Sequence, residues 1–293
     1  MFTKDDTYRF KGGRIGVLLI HGLGGTPLEL RYVANGLARQ GYSVVCPQLA
    51  GHCSGEDGLK AATWQDWYKS CEDALDELRE SCDFVVVGGH STGALLAMML
   101  SAKRPNDVQA MTLMAPTLWA NGWAIPWYAH FFRLVRYKWF ANLIKFPDLE
   151  PYGIKDDRIR AFFMQALMDP YSSQSIYTPG GAVLEHRWLG QAIMPLLGQI
   201  TQPTLILHPR EDDIADINNA FFLQRKFAGR VDVSVLEDSY HNCTLDRQRH
   251  VVVQRSAGFI ESVLGESEQV QERAKLRERA RASLRAQPVA VAA

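Results

Sequence analysis

The sequence has no net charge to offer a partner. Its 32 basic and 32 acidic residues cancel over 293 positions. Recruitment of nucleic acid or an anionic membrane by whole-chain electrostatics is therefore excluded. A cysteine framework is also missing. The five cysteines (Cys46, Cys53, Cys71, Cys82 and Cys243) are odd in number and contain no C-x-x-C pair. Neither a disulfide scaffold nor a zinc site is expected, and a reducing cytoplasm is the expected location. No G-x-G-x-x-G and no Walker lysine occur, which argues against a phosphate cradle. Met1 to Asp6 lacks the apolar stretch of a signal peptide. The longest uncharged run, Phe84 to Ala102, has Gly88-Gly89-His90-Ser91-Thr92-Gly93 at its middle. That reads as a buried strand, a turn and a buried helix, and no transmembrane segment is expected.

What is present is a globular composition, 47% hydrophobic and 22% charged. Short apolar runs occur at Ile15–Ile20, Tyr42–Cys46, Phe84–Val87, Met111–Met114, Thr204–Leu207 and Val231–Leu236. Runs of this kind suit strands buried on both faces. Helix-length stretches lie between them: Pro27–Arg39, Thr63–Arg79, Ala94–Lys103, Ile217–Phe227 and Arg247–Leu264. In the second, Thr63 caps, and Trp67, Cys71, Ala74 and Leu78 share a face. The alternation predicts an α/β fold with a mainly parallel sheet covered by helices. From Leu118 to Pro195 the alternation stops. No strand is expected there, and Tyr128, Phe131, Val135, Trp139 and Leu143 recur at helical spacing.

Gly89-His90-Ser91-Thr92-Gly93 is a G-x-S-x-G pentapeptide between an apolar strand and an apolar helix. That context suits a nucleophile elbow, in which glycines permit a sharp turn that exposes the serine. A serine needs a base. Of the histidines after Ser91, His130 and His186 lie in the strandless interval, His208 ends a strand and His250 falls within the last helix. His241, just after Val231–Leu236, is the expected base. The orienting acid should follow Thr204–Leu207. Asp212 is the choice there, with Asp213 and Asp216 as rivals. The expected oxyanion donors are the backbone N–H groups of Thr92 and Leu23, the latter in the glycine-rich loop His21–Gly25.

These residues resemble the α/β-hydrolase superfamily, and within it the bacterial carboxylesterase and monoacylglycerol lipase group. The resemblance rests on His21-Gly22-Leu23-Gly24-Gly25-Thr26-Pro27, Ala50-Gly51-His52, Thr63-Trp64-Gln65-Asp66-Trp67 and Gly89 to Gly93, and extends to Pro203–Ile214 and Tyr240–Leu245. Cys53, Pro209 and Tyr240 stand where the family commonly has glycine. The resemblance implies a core of residues 1–117 and 196–265 and a helical cap at 118–195. The tail at 266–293 is set apart by its charged composition and reads as flexible or helical, with Glu272 to Arg285 the helical candidate and Gln287-Pro288 a frayed end. It implies a serine hydrolase that cleaves carboxylic esters, short- to medium-chain acyl esters or monoacylglycerols, through an acyl-enzyme. Thioester, lactone or amide hydrolysis, acyl transfer, and a slow-turnover sensor on the same fold are the alternatives. This chemistry calls for no metal and no cofactor.

The interval 118–195 holds sixteen of the thirty aromatic residues, including five of the seven tryptophans. Above the strand ends, Trp119, Trp123, Trp127 and Trp188 are candidates to line an acyl pocket. Between Asn121 and Pro147 there is no acidic residue, while Arg133, Arg136, Lys138 and Lys145 interrupt the aromatics. A solvated helix is the favoured reading of this pattern, and transient contact with a membrane surface is the other. The expected partner is a small-molecule ester or lipid, not nucleic acid. Oligomeric state is not legible.

Overall fold

The computed structural model describes residues 5–147, 150–167 and 177–286. The chain enters through β1 (Tyr8–Phe10), an edge strand too short to show a hydrophobic period. Then follow β2 (Ile15–Ile20), α1 (Arg31–Ala38), β3 (Ser43–Cys46), α2 (Gly55–Ala61), α3 (Trp64–Arg79), β4 (Phe84–His90), α4 (Thr92–Lys103) and β5 (Ala110–Met114). A long insertion contains α5 (Lys138–Ala141), β6 (Lys145–Pro147), α6 (Asp157–Leu167), β7 (Tyr177–Pro179) and α7 (Gly180–Ile193). The chain finishes with β8 (Thr204–Pro209), α8 (Asn218–Lys226), β9 (Val231–Leu236) and α9 (Arg249–Ala286).

Seven strands form one sheet in the order β1-β3-β2-β4-β5-β8-β9. Only β1 is antiparallel to its neighbour. The chain builds outward from β2 to β3, then returns to lay β4 on the other side of β2. The connections after β2 and β4 therefore diverge, and such a switch point leaves a crevice at the carboxyl ends of the strands. Strands such as Val85-Val86-Val87 are buried on both faces because two apolar clusters sandwich the sheet. Helix α3 contributes Trp67, Cys71, Leu75 and Leu78 to one of them. Its start is fixed by a capping box: Thr63 Oγ1 accepts from the Asp66 N–H, and the Asp66 carboxylate accepts from the Thr63 N–H.

Three expectations need correction. The insertion is not strandless, because β6 and β7 pair antiparallel. Each is three residues ending in proline, too short to register as a period-two pattern. The aromatic stretch from Tyr128 to Leu143 is not one helix. A 3-10 helix spans Trp127–Leu134, Val135 is extended, and α5 restarts at Lys138. Arg187 of α7 holds that break, donating to the carbonyls of Phe132 and Val135. Third, the last helix does not stop near Leu264 but runs unbroken to Ala286, taking in the stretch Glu272–Arg285 that the sequence marks as a helical candidate. The frayed end expected from Gln287 lies outside the described residues.

Candidate active site

Ser91 follows β4 directly and initiates α4, with φ of 55° and ψ of −114°. A non-glycine residue held at positive φ is strained, and such strain persists where the surroundings fix it. Here the flanking glycines fix it. A Cβ on Gly89 would strike the backbone of Gly93, and one on Gly93 would strike the carbonyl of Ile20. The Ser91 side chain makes no capping bond to its own helix, which leaves the hydroxyl available.

That hydroxyl lies 2.9 Å from His241 Nε2. His241 Nδ1 donates to Asp212, 2.9 Å from Oδ2 and 3.0 Å from Oδ1. The structure thus brings together Ser91, His241 and Asp212 from the loops after β4, β9 and β8. The rivals lie elsewhere. Asp216 accepts from Asn218. Asp213 accepts from the backbone N–H of His241 at 3.1 Å and of Gly153 at 3.0 Å, fixing the loop rather than the ring.

Burial opposes charge on His241, but Asp212, with Asp213 and Glu29, outweighs it and raises the imidazole above the ordinary histidine value. Burial likewise opposes charge on Asp212, and the His241 ring and the Ala215 N–H hold its carboxyl below the usual range. Burial pushes Asp213 up. His208 Nε2 lies 3.5 Å from the same Asp212 Oδ2, and burial depresses its pKa. The arrangement therefore has one ionised acid, one basic imidazole and one hydroxyl aligned for proton removal from Ser91.

Leu23 and Thr92 both border the cavity beside Ser91. Thr92 opens α4, and a first-turn N–H has no partner within its own helix. Its side chain meets His186 of α7, with Oγ1 2.8 Å from Nδ1. Thr117 Oγ1 lies 3.3 Å from Ser91 Oγ. Sequence reasoning missed both contacts, because nothing local marks a residue that reaches the elbow from another element.

The cavity over Ser91 is about 910 Å³. Its outer wall comes from the insertion, including Phe131, Phe132, Val135, Phe146 and Phe163. Of the four tryptophans proposed from sequence, only Trp119 lines it, with its ring edge-on to Phe222. Trp123 meets Tyr240 edge to face and donates to the Glu211 carbonyl. Trp127 is 75% exposed. Trp188 is half-buried in α7 away from the lining. Phenylalanines at these positions could not be told from packing residues without the fold. Among the described residues no group of His, Cys, Asp or Glu side chains could hold a metal ion.

A strained serine after a central strand, with its acid and base on later strand-end loops, defines the α/β-hydrolase class. The chain belongs to the alpha/beta hydrolase family, which matches residues 17–255. It is 26% identical to a thermostable monoacylglycerol lipase of Bacillus sp. (strain H-257), over 85% of this chain and 91% of the relative. It is 22% identical to a carboxylesterase of Bacillus subtilis (strain 168), over 87% of this chain and 96% of the relative. Among solved structures it is similar to a metagenome-derived lipolytic enzyme. That match has a TM-score of 0.73 and 27% identity, and covers 87% of this chain and 97% of the other.

Proposed function

We propose that this protein is a serine hydrolase of uncharged carboxylic esters, acting on short- to medium-chain acyl esters or monoacylglycerols. One observation carries the reading: Ser91 Oγ sits 2.9 Å from an imidazole that a buried carboxylate grips from behind, at the floor of an apolar cavity. Ser91 attacks the ester carbonyl as His241 Nε2 takes its proton. The N–H groups of Thr92 and Leu23 hold the oxyanion. The imidazolium, stabilised by Asp212, gives the proton to the departing alcohol. Water, deprotonated by His241, then attacks the acyl group, and Ser91 leaves with the proton returned. The relatives named monoacylglycerol lipase and carboxylesterase support this choice among the chemistries open to the triad.

Residues 118–195 act as a cap whose inner aromatics receive the acyl chain. Their outer face supports delivery from a lipid surface. The 3-10 helix Trp127–Leu134 buries none of its residues, and Trp139 is 69% exposed. Arg133 and Arg136 are exposed among these aromatics, a composition suited to an anionic interface. Among the described residues no helix is long and apolar enough to cross a membrane. Five free cysteines suit a reducing cytoplasm.

A panel of p-nitrophenyl esters of increasing chain length tests the activity. Steady turnover that peaks at short or medium chains is expected. A single burst without turnover would instead indicate a ligand-binding sensor, and no release from any ester would remove the reading. Co-sedimentation with anionic vesicles tests the surface contact, and absence of binding removes it.

A further inference from the structure

Proton transfer needs the His241 ring held still, yet that ring is carried by a loop. Between β9 and α9 the chain forms only turns and bends. Asp212 orients the ring, but the backbone beneath it must be anchored separately. Three consecutive backbone N–H groups do so. Tyr240 donates to Asp246 Oδ2 at 2.8 Å, His241 to Asp213 Oδ1 at 3.1 Å and Asn242 to the Gly153 carbonyl at 2.8 Å.

Each of these acceptors belongs to, or is shared with, one short piece of the insertion. Asp213 Oδ2 accepts from the Gly153 N–H at 3.0 Å. Asp246 accepts from the N–H groups of Lys155 at 2.9 Å and Asp156 at 3.0 Å. The Asn242 side chain donates to the Tyr152 carbonyl at 2.8 Å. Asp213 and Asp246 are both 0% exposed, so each N–H taken away leaves a buried acceptor short of a partner. The backbone is bent to make these bonds. Tyr152 and Gly153 sit at φ of 59° and 69°, and such strain in a non-glycine residue persists only where its surroundings fix it. Anchoring the cap does not require this strap, because α7 already buries Ala182, Leu189 and Ile193 in the apolar cluster that holds α3 and α4.

We infer that residues 152–156 are a positioning element for the catalytic base. The insertion then takes part in proton transfer, by holding the backbone of His241, as well as walling the acyl pocket. This rests on the ester-hydrolase reading and adds how the cap enters the chemistry.

Two substitutions loosen the strap from opposite sides. Asp213→Asn keeps the size of the bridge but sets an NH2 group against one of the two N–H donors. Gly153→Ala acts from the cap, where a Cβ would lie 2.8 Å from Asn242 Nδ2 and the positive φ disfavours alanine. Each variant is compared with the unmodified full-length protein on p-nitrophenyl acetate and p-nitrophenyl octanoate. The acetate has too little chain to fill the acyl pocket, and both acylation and deacylation use His241. The expected result is a fall in kcat of about tenfold or more, by the same factor for both esters, with KM nearly unchanged. Fluorophosphonate labelling of Ser91 should slow in step. A loss confined to the octanoate, or seated in KM, would make the strap pocket wall alone. An unchanged kcat, with or without a lower Tm, would make it a cap anchor alone. Either result overturns the inference. If circular dichroism shows Asp213→Asn unfolded, Asn242→Ala, which cuts the bond to the Tyr152 carbonyl, is read in its place. No turnover of either ester by the unmodified protein would sink the hydrolase reading. The labelling rate, which needs only Ser91 and its base, still decides the inference.

Discussion

Replacing Asp212 by asparagine should disable the site through a tautomer rather than through lost packing. Asp212 Oδ1 accepts from the backbone N–H groups of Ile214 at 2.9 Å and Ala215 at 2.7 Å. Two such donors will keep the amide oxygen of an asparagine on that side. The NH2 group then takes the place of Oδ2, which faces His241 Nδ1 at 2.9 Å. A donor there forces Nδ1 to present its lone pair, so the ring proton moves to Nε2. Nε2 is the atom 2.9 Å from Ser91 Oγ, and once protonated it cannot accept the serine proton. The expected loss in kcat is about 10⁴-fold, or ~5 kcal/mol of barrier.

A change in pH dependence accompanies the loss. In the unmodified protein His241 must be neutral to act, and Asp212 raises its pKa against the burial that lowers it. Activity therefore falls as pH drops through a value above the ordinary histidine pKa of about 6.5. Without the carboxylate, burial dominates, and the acid limb of residual activity should move to lower pH. Initial rates on p-nitrophenyl butyrate between about pH 5 and 9 read both effects, with circular dichroism confirming the fold. A variant that keeps more than a tenth of the activity, or whose acid limb moves upward, would refute the reasoning.

Other expectations concern the frame. Glu185 of α7 is buried, and its carboxylate is held by Lys138 at 2.9 Å and the Trp64 N–H at 3.1 Å. Lys138→Met should cost about 2–4 kcal/mol in urea unfolding by stranding that charge, and adding Glu185→Gln should recover part of it. Thr63→Ala removes one half of the capping box and should cost about 1 kcal/mol by the same measurement. Arg187→Met should loosen the break after the 3-10 helix, seen as faster hydrogen exchange over residues 132–138 with little change in global stability.

The parts legible in the sequence are those whose physics is local. Val85-Val86-Val87 has to be a buried strand, and Gly89 and Gly93 can serve a tight turn whatever surrounds them. Chain order narrowed the histidine to His241, because the alternatives fall inside other elements. The acid was placed at Asp212, but with Asp213 and Asp216 as rivals. Neighbouring carboxylates look alike until backbone donors divide them between ring and loop, as they do for Asp212 and Asp213. The insertion was least legible. Its three-residue strands carry no period, and its helical spacing conceals a break held by Arg187 from 52 and 55 residues away.

The central claim is that Ser91 is the activated nucleophile of an ester hydrolase. A fluorophosphonate probe tests it most directly, since the serine oxygen bonds to phosphorus as fluoride departs. Peptide mass spectrometry should find one adduct, on Ser91, formed in step with loss of esterase activity and absent from Ser91→Ala. An unlabelled Ser91 in folded protein, or an adduct on another residue that abolishes activity, would contradict it.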